Sequence, residues 1–220
     1  MNSITSNLYA TLDDAYSFFN DMLFENKLPQ CVIVLQRKGK NNLGYFHPER
    51  FANRSQMNKK MSSKSKSKKK IDTVSELSLN PDKFLWQTDK DILSVLVHEM
   101  THVWQHSFGL KKSKNGYHNK EWGNKMKEIG LYPSNTGEKD GKETGQQMHH
   151  YIIKTGKFDL HVQQLLKTKH LEWNSLPIAS KSSVKKNKSV YQCPSCEAKV
   201  WGKPSMNIIC SDCETPFEEV

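Results

Sequence analysis

The sequence predicts an α+β fold with a small β-rich module at the C-terminal end. Three observations predict it. Short segments with strand-like patterning stand at 31–36, 43–47 and 73–79. A helical stretch from Asp89 to about His106 is apolar nearly all round, the pattern of a helix buried in a core. Two Cys-x-x-Cys pairs close the chain, Cys193 with Cys196 and Cys210 with Cys213. A few strands packed on the buried helix, with helices flanking it, satisfy the first two observations.

Each element has its own signal. Leu8, Leu12, Ala15, Tyr16, Phe19 and Leu23 recur at helical spacing and predict an amphipathic helix over about 8–26. Leu28-Pro29 is expected to end it. Residues 31–36, CVIVLQ, read as a strand, with Cys31 a small buried hydrophobe. Residues 43–47, LGYFH, are expected as its hairpin partner. TVSELSL at 73–79 alternates and reads as an edge strand, closed by Asn80-Pro81. Asp89 is the expected N-cap of the buried helix and Gly109 its stop. A loop follows to Tyr117, then a short helix over 120–129 ended near Gly130. Residues 133–145 read as loop. Residues 146–172 read as a short helix or strand and then a helix. The expected division is a main domain over 1–176 with a basic insertion at about 55–70, a basic linker over 177–189, and a cysteine module over 190–220.

Composition narrows the function. The chain has 220 residues, 35% of them hydrophobic, which suits one domain of ordinary size plus something small. No run of eighteen apolar residues occurs, so a transmembrane helix is excluded and no membrane partner is expected. The opening residues lack the basic and apolar regions of a secretory signal, so the expected place is the cytoplasm, at the nucleoid if the source is bacterial. The formal net charge is +10, and Lys59, Lys60, Lys64, Lys66, Lys68, Lys69 and Lys70 supply seven of those charges. A second basic, serine-rich stretch stands at 180–189. Neither can bury apolar area, so both are expected to be flexible. One reading is a solvated loop and a linker. The other is a salt-sensitive contact with nucleic-acid phosphates, made by backbone attraction since no aromatics are interleaved.

The chemistry lies in the buried helix, at His98-Glu99-Met100-Thr101-His102. Histidines four apart share a helix face and can grip one zinc ion, with the glutamate beside the first placed to act as a base on water. A catalytic zinc takes three protein ligands, so a third is required. His106 lies about 80° around the helix from His98, which makes convergence poor. His118, after a loop long enough to fold back, is better placed. The pair His149-His150 is a further option. Cys193, Cys196, Cys210 and Cys213 form a closed set of four, which is the pattern of a structural zinc rather than of a disulfide framework.

His98-Glu99-Met100-Thr101-His102 followed by His118-Asn119-Lys120-Glu121-Trp122 resembles the SprT-like family of zinc metalloproteases, which includes Spartan-type DNA-dependent proteases. Leu43-Gly44-Tyr45-Phe46 and Glu76-Leu77-Ser78-Leu79-Asn80 are similar to the family's strands before the active-site helix. Residues 141–146, GKETGQ, are similar to a segment of some bacterial members. The stretch from Tyr191 to Cys213 is similar to the zinc ribbon that closes many of them. Asn119 stands where glycine is common, and the insertion is unusually basic. The resemblance implies a zincin-like metalloprotease domain with a zinc ribbon. It implies a catalytic zinc on His98, His102 and His118, a structural zinc on the four cysteines, and Glu99 as general base.

The resemblance also suggests DNA-associated or DNA-crosslinked proteins as substrates, hence crosslink repair, with DNA as a partner through the insertion, linker or ribbon. Tyr117, Tyr132 and Tyr151 are candidates for a second oxyanion donor, each also readable as a core or edge aromatic. The strand at 74–79 could take an extended substrate by strand addition. Trp201, Lys199 and Lys203 could touch nucleic acid, or Trp201 could cover the ribbon's small core. The competing functions are a DNA-binding accessory or regulatory protein of mobile-element or antirestriction type, whose HExxH zinc is structural or weakly active, and a general peptidase indifferent to DNA.

Overall fold

The structure, a computed structural model, describes residues 3–37, 42–62, 70–111, 113, 116–176 and 188–220, with the side chains of 59–62 left aside. It is mixed α and β and divides into two compact units, Met1–Leu176 and Pro177–Val220. Lys64, Lys66, Lys68 and Lys69, and the linker over 177–187, lie outside the described residues.

In the first unit, α1 (Ile4–Phe24) buries Leu12, Ala15, Tyr16, Phe19 and Leu23, the stripe expected from its spacing. It ends before Leu28-Pro29. Glu25 and Asn26 turn left-handed, with φ of 56° and 53°. The buried Asn20 side chain then clamps Leu28, accepting from its N–H at 3.0 Å and donating to its carbonyl at 3.1 Å. A satisfied buried amide, not the proline, sets this corner.

The three strands β1 (Cys31–Leu35), β2 (Gly44–Ala52) and β3 (Thr73–Leu79) form one sheet in the order β1-β3-β2. Two expectations fail here. β1 and β2 are not a hairpin, because β1 pairs with β3 in parallel and β2 pairs with β3 antiparallel. β3 is therefore the central strand and not an edge. The reason lies in burial: Leu77 and Leu79 are fully buried and Glu76 and Ser78 nearly so, whereas β1 and β2 stay half-exposed. A strand covered on both faces belongs in the middle. β2 breaks register between His47 and Phe51, where Pro48 sits, as suits an edge strand.

The residues expected to be a flexible insertion begin as a helix, α2 (Arg54–Ser62). Asn53 caps it by accepting from the Gln56 N–H at 3.2 Å. Gln56 clasps Asp72, donating from Nε2 at 2.6 Å and accepting from its backbone N–H at 2.8 Å, which ties the helix to the entry of β3. Lys59 and Lys60 lie on this helix, and Lys70 is exposed beyond it, 3.9 Å from Glu49.

A 3-10 turn over Pro81–Trp86 leads to α3 (Asp89–Phe108). Its N-cap is Thr88, not Asp89: Thr88 and Asp91 form a reciprocal capping box. Gly109 does stop it, though at φ −66°, so the requirement is room: a Cβ there would lie 2.5 Å from the Gln105 carbonyl. α3 packs against β2 and β3, α1 and α4 (Lys120–Glu128), and buries Ile92, Leu96, Val97 and Met100. β4 (Leu131–Ser134) and β5 (His149–Ile152) pair antiparallel, so Pro133 and Ser134 belong to a strand rather than to the expected loop. α5 (Lys157–Leu165) completes the unit, with Phe158 and Val162 in the core. Among the described residues no helix is long and apolar enough to cross a membrane.

The second unit has a three-stranded antiparallel sheet of β6 (Ser189–Gln192), β7 (Lys199–Gly202) and β10 (Glu218–Glu219), in the order β10-β6-β7, with β8 (Ile209–Cys210) and β9 (Thr215–Pro216) as a separate pair. Among the described residues, Tyr191 is its one fully buried large side chain. The Tyr191 hydroxyl donates to the Lys203 carbonyl at 2.6 Å and accepts from the Met206 N–H at 2.9 Å.

Candidate metal centres

α3 presents His98 and His102 from one face, as the i, i+4 spacing requires, and Glu99 lines the same cleft. His118 arrives from the segment just before α4. A two-way backbone bridge with Gly145 holds it, His118 N–H to Gly145 carbonyl at 2.8 Å and the reverse at 3.2 Å. Its Nδ1 lies 3.2 Å from the same carbonyl, which makes Nδ1 the donor and leaves Nε2 the lone pair. The ligand nitrogens of His98, His102 and His118 all lie within 4.8 Å of one another. His102 Nε2 and His118 Nε2 face each other at 3.0 Å.

The 118–122 segment is built around this histidine. Asn119, the departure from glycine, caps α4 by accepting from the Trp122 N–H at 3.0 Å, and also accepts from Gln105 at 2.7 Å. The Glu121 carboxylate accepts from the N–H groups of Leu110 and Lys111 at 2.8 and 2.9 Å, anchoring the loop after α3. Trp122 is fully buried under the histidines. It stacks on His102 at 5.2 Å and meets His98 and His118 edge-on at 4.9 and 4.5 Å.

The electrostatics suit a cation. Burial holds His102 down to about 3, helped by His118, and lowers His98 and His118 as well. All three imidazoles are therefore neutral near pH 7, the state a metal ligand needs. Three convergent neutral imidazoles are a donor set that fits zinc. Burial pushes the Glu99 carboxyl up to about 8. Glu99 sits against Gly44 of β2, where a Cβ would stand 3.0 Å from its Oε1 and 2.8 Å from the Ser78 carbonyl. In the sequence Gly44 stands out only as part of a strand; its close approach to Glu99 needs the fold.

These groups open into a cleft of about 910 Å³, bounded by Leu43 and the start of β2, Gly44–Phe46, and by Gln146–His150. His106 reaches the cleft, with its ring 5.8 Å from Phe46, but stands outside the three-histidine set. His150 is also outside that set. Its Nδ1 lies 3.1 Å from His98 Nδ1 and its Nε2 2.8 Å from Ser94 Oγ. None of Tyr117, Tyr132 and Tyr151 lines the cleft: Tyr132 and Tyr151 stack on each other at 5.0 Å, and the Tyr132 hydroxyl donates to Glu143. The tyrosine that does line it is Tyr45, whose hydroxyl donates to Glu76 at 2.5 Å. Because β3 is central, paired with β1 over 75–79 and with β2 at 74 and 76–79, strand addition there is excluded.

In the second unit the sulfurs of Cys193, Cys196, Cys210 and Cys213 also lie within 4.8 Å of one another. The two Cys-x-x-Cys turns are built alike. In each, the residue after the second cysteine donates back to the first cysteine's carbonyl, Glu197 to Cys193 at 2.9 Å and Glu214 to Cys210 at 2.8 Å. Both glutamates are left-handed, at φ 60° and 54°. Backbone N–H groups of Cys196 and Ser195 pull the Cys193 thiol down to about 7, whereas the hydrogen bond with Cys196 pushes the Cys213 thiol up to about 12, as crowded sulfurs that share protons do. Four thiols and no open position fit a structural zinc. Trp201 is 67% exposed, so it does not cover the small core; Tyr191 does that.

A family model of the SprT-like family matches residues 12–140. Over 54 residues the chain is 46% identical to the "Uncharacterized protein in mucB 3'region" of Salmonella typhimurium, an alignment covering 24% of this chain and 72% of that protein. No solved structure matches. The family match takes in more than half of the sequence and spans α1 from Leu12 onward, the three-stranded sheet, α3 with His98, Glu99 and His102, and His118 with α4. With its histidine centre inside that span and its cysteine module beyond it, the chain belongs to the SprT-like family.

Proposed function

We propose that this chain is a zinc-dependent metallopeptidase of zincin-like architecture, with His98, His102 and His118 holding the catalytic ion and Glu99 acting as general base. The observation that carries it is the convergence of three neutral imidazoles beside one buried carboxylate in a cleft edged by a strand. Bound there, zinc supplies Lewis acidity toward a carbonyl and lowers the pKa of a water molecule. The chain's own residues do the rest. Gly44 gives Glu99 room at the edge of β2, and the Glu99 carboxylate, in its ionised form, takes a proton from attacking water. As the C–N bond breaks, Glu99 returns that proton to the leaving amine nitrogen. The β2 edge, not residues 74–79, is the strand against which an extended substrate would pair.

The substrates fit proteins held on DNA. Support comes from the seven lysines of 59–70 and from Trp201, exposed between Lys199 and Lys203 on the ribbon. A zinc ion on the four cysteines orders that ribbon. The test incubates zinc-loaded wild type and Glu99→Gln with a DNA-binding protein, with and without single- and double-stranded DNA. DNA-dependent cleavage lost in Glu99→Gln supports the full reading. Cleavage indifferent to DNA supports a general peptidase. No cleavage with both metals bound supports an accessory DNA-binding protein instead.

A further inference from the structure

We propose that His150 is a positioning residue for the helix-site metal: it fixes the tautomer of His98 through a relay that runs His98–His150–Ser94 and ends on the backbone of α3. The relay is anchored at its far end. The Ser94 hydroxyl lies 2.7 Å from the Asp91 carbonyl, which can only accept, so Ser94 donates there. With its single proton committed, Ser94 Oγ accepts from His150 Nε2 at 2.8 Å. His150 Nε2 therefore carries the proton, and His150 Nδ1 is a lone pair. That lone pair faces His98 Nδ1 at 3.1 Å, so His98 Nδ1 must be the donor. Only Nε2 of His98 is then left as a lone pair for a metal.

The polarity of the whole chain is thus set by one backbone carbonyl three residues before Ser94 on the same helix. The sheet contributes the remaining link. His150 stands on β5 opposite Pro133 of β4, and β5 brings its ring to His98 at 5.2 Å between centroids. Ser94 is buried, one turn before His98, so the serine and the ligand present themselves together to one imidazole. His118 reaches the same end by a shorter route, with its Nδ1 on the Gly145 carbonyl. Two of the three ligands are thus locked with Nε2 available before any ion arrives, one by backbone and one by this relay. The relay rests on the reading of His98 as a metal ligand.

The test uses the full chain and does not depend on peptide cleavage. Imidazole nitrogen NMR of the metal-free protein reads the tautomer, and zinc competition with a chromogenic chelator reads affinity, the cysteine site serving as internal control. Wild type should show His98 protonated at Nδ1. His150→Ala should mix the two tautomers and weaken the helix site about 10- to 100-fold while leaving the cysteine site unchanged. His150→Asn, which returns an acceptor near the Nδ1 position, should recover most of that loss. Ser94→Ala, a smaller change in a buried position, should loosen the His98 tautomer with His150 still present. An unmixed tautomer and unchanged affinity in His150→Ala would overturn the relay, as would equal loss in the Ala and Asn variants. Wild type that binds zinc at both sites and cleaves nothing sinks the peptidase reading, while the tautomer and affinity data still decide the relay.

Discussion

The histidine centre and the cysteine centre are built on opposite plans. His98, His102 and His118 rest on a floor that exists without them: Trp122 is fully buried against all three rings, and Asn119, Gln105 and Glu121 tie the surrounding loop by hydrogen bonds. The four cysteines have no such floor. Among the described residues their unit buries one large side chain, Tyr191, and its strands are two to four residues long. The first centre is a site made by a core. The second is a core made by a site. The difference teaches what an ion would do at each donor set, since one that organises nothing would be available for chemistry, whereas one that replaces a core would be committed to structure.

Chelation should break this pairing most visibly. Removing zinc is expected to unfold the second unit, where a structural ion contributes on the order of 10 kcal/mol, while the first unit keeps its protected amides. Hydrogen exchange on the full chain with and without chelator checks it; equal loss in both units would erase the distinction. Next in size is the floor itself. Trp122→Ala should cost the first unit about 3–5 kcal/mol in denaturant unfolding, whereas Trp201→Ala, on an exposed side chain, should change the stability of its own unit by less than about 0.5 kcal/mol.

A third change separates chemistry from metal. Gly44→Ala would set a Cβ 2.8 Å from the Ser78 carbonyl and 3.0 Å from Glu99 Oε1, shifting the end of β2 and forcing the carboxylate away. Peptidase activity should fall about 10²-fold with zinc content unchanged by elemental analysis, because Gly44 touches no ligand. The smallest effect concerns acid stability of the first unit. Asp159 accepts from Lys90, the Thr155 N–H at 2.8 Å and Gln163 at 3.2 Å, and these hold its carboxyl down to about 2. A depressed folded pKa contributes stability above the ordinary value of 3.8 that is lost as pH falls toward about 2. Asp159→Asn should therefore be less stable than wild type at pH 6, with the gap closing between about pH 4 and pH 2 in thermal melts.

The two centres also differ in how far the sequence alone discloses them. The cysteine set is local: two Cys-x-x-Cys turns carry their own geometry, and only the left-handed Glu197 and Glu214 escape a reading of the pattern. The histidine helix is equally plain, because His-Glu-x-x-His inside an all-round apolar stretch buries polar groups at a cost that a bound ion offsets. For the third ligand, helix angle and loop length already prefer His118 to His106, and the family resemblance points to the same residue; the loop closure itself stays hidden, because it depends on Glu121 holding Leu110 and Lys111. Sheet order is not readable. Short alternating strands all look pairable, and β3 becomes central only because both its faces are covered, Leu77 and Leu79 on one and Glu76 and Ser78 on the other, by elements distant in sequence. The helix over Arg54–Ser62 is hidden by its lysines, although Asn53 and the Gln56–Asp72 clasp supply a cap and an anchor. The start of α3 shifts by one residue from the expected one because Thr88 and Asp91 form a capping box that outweighs Asp89 alone.

The measurement closest to the central claim is zinc stoichiometry in three proteins purified alike. Wild type should carry two zinc ions per chain, one for each donor set. His118→Ala should carry one and keep the fold of the cysteine unit. Cys193→Ser should carry one and lose that fold, with the first unit intact. Two ions in His118→Ala would remove His118 from the ligand set and contradict the account of the histidine centre.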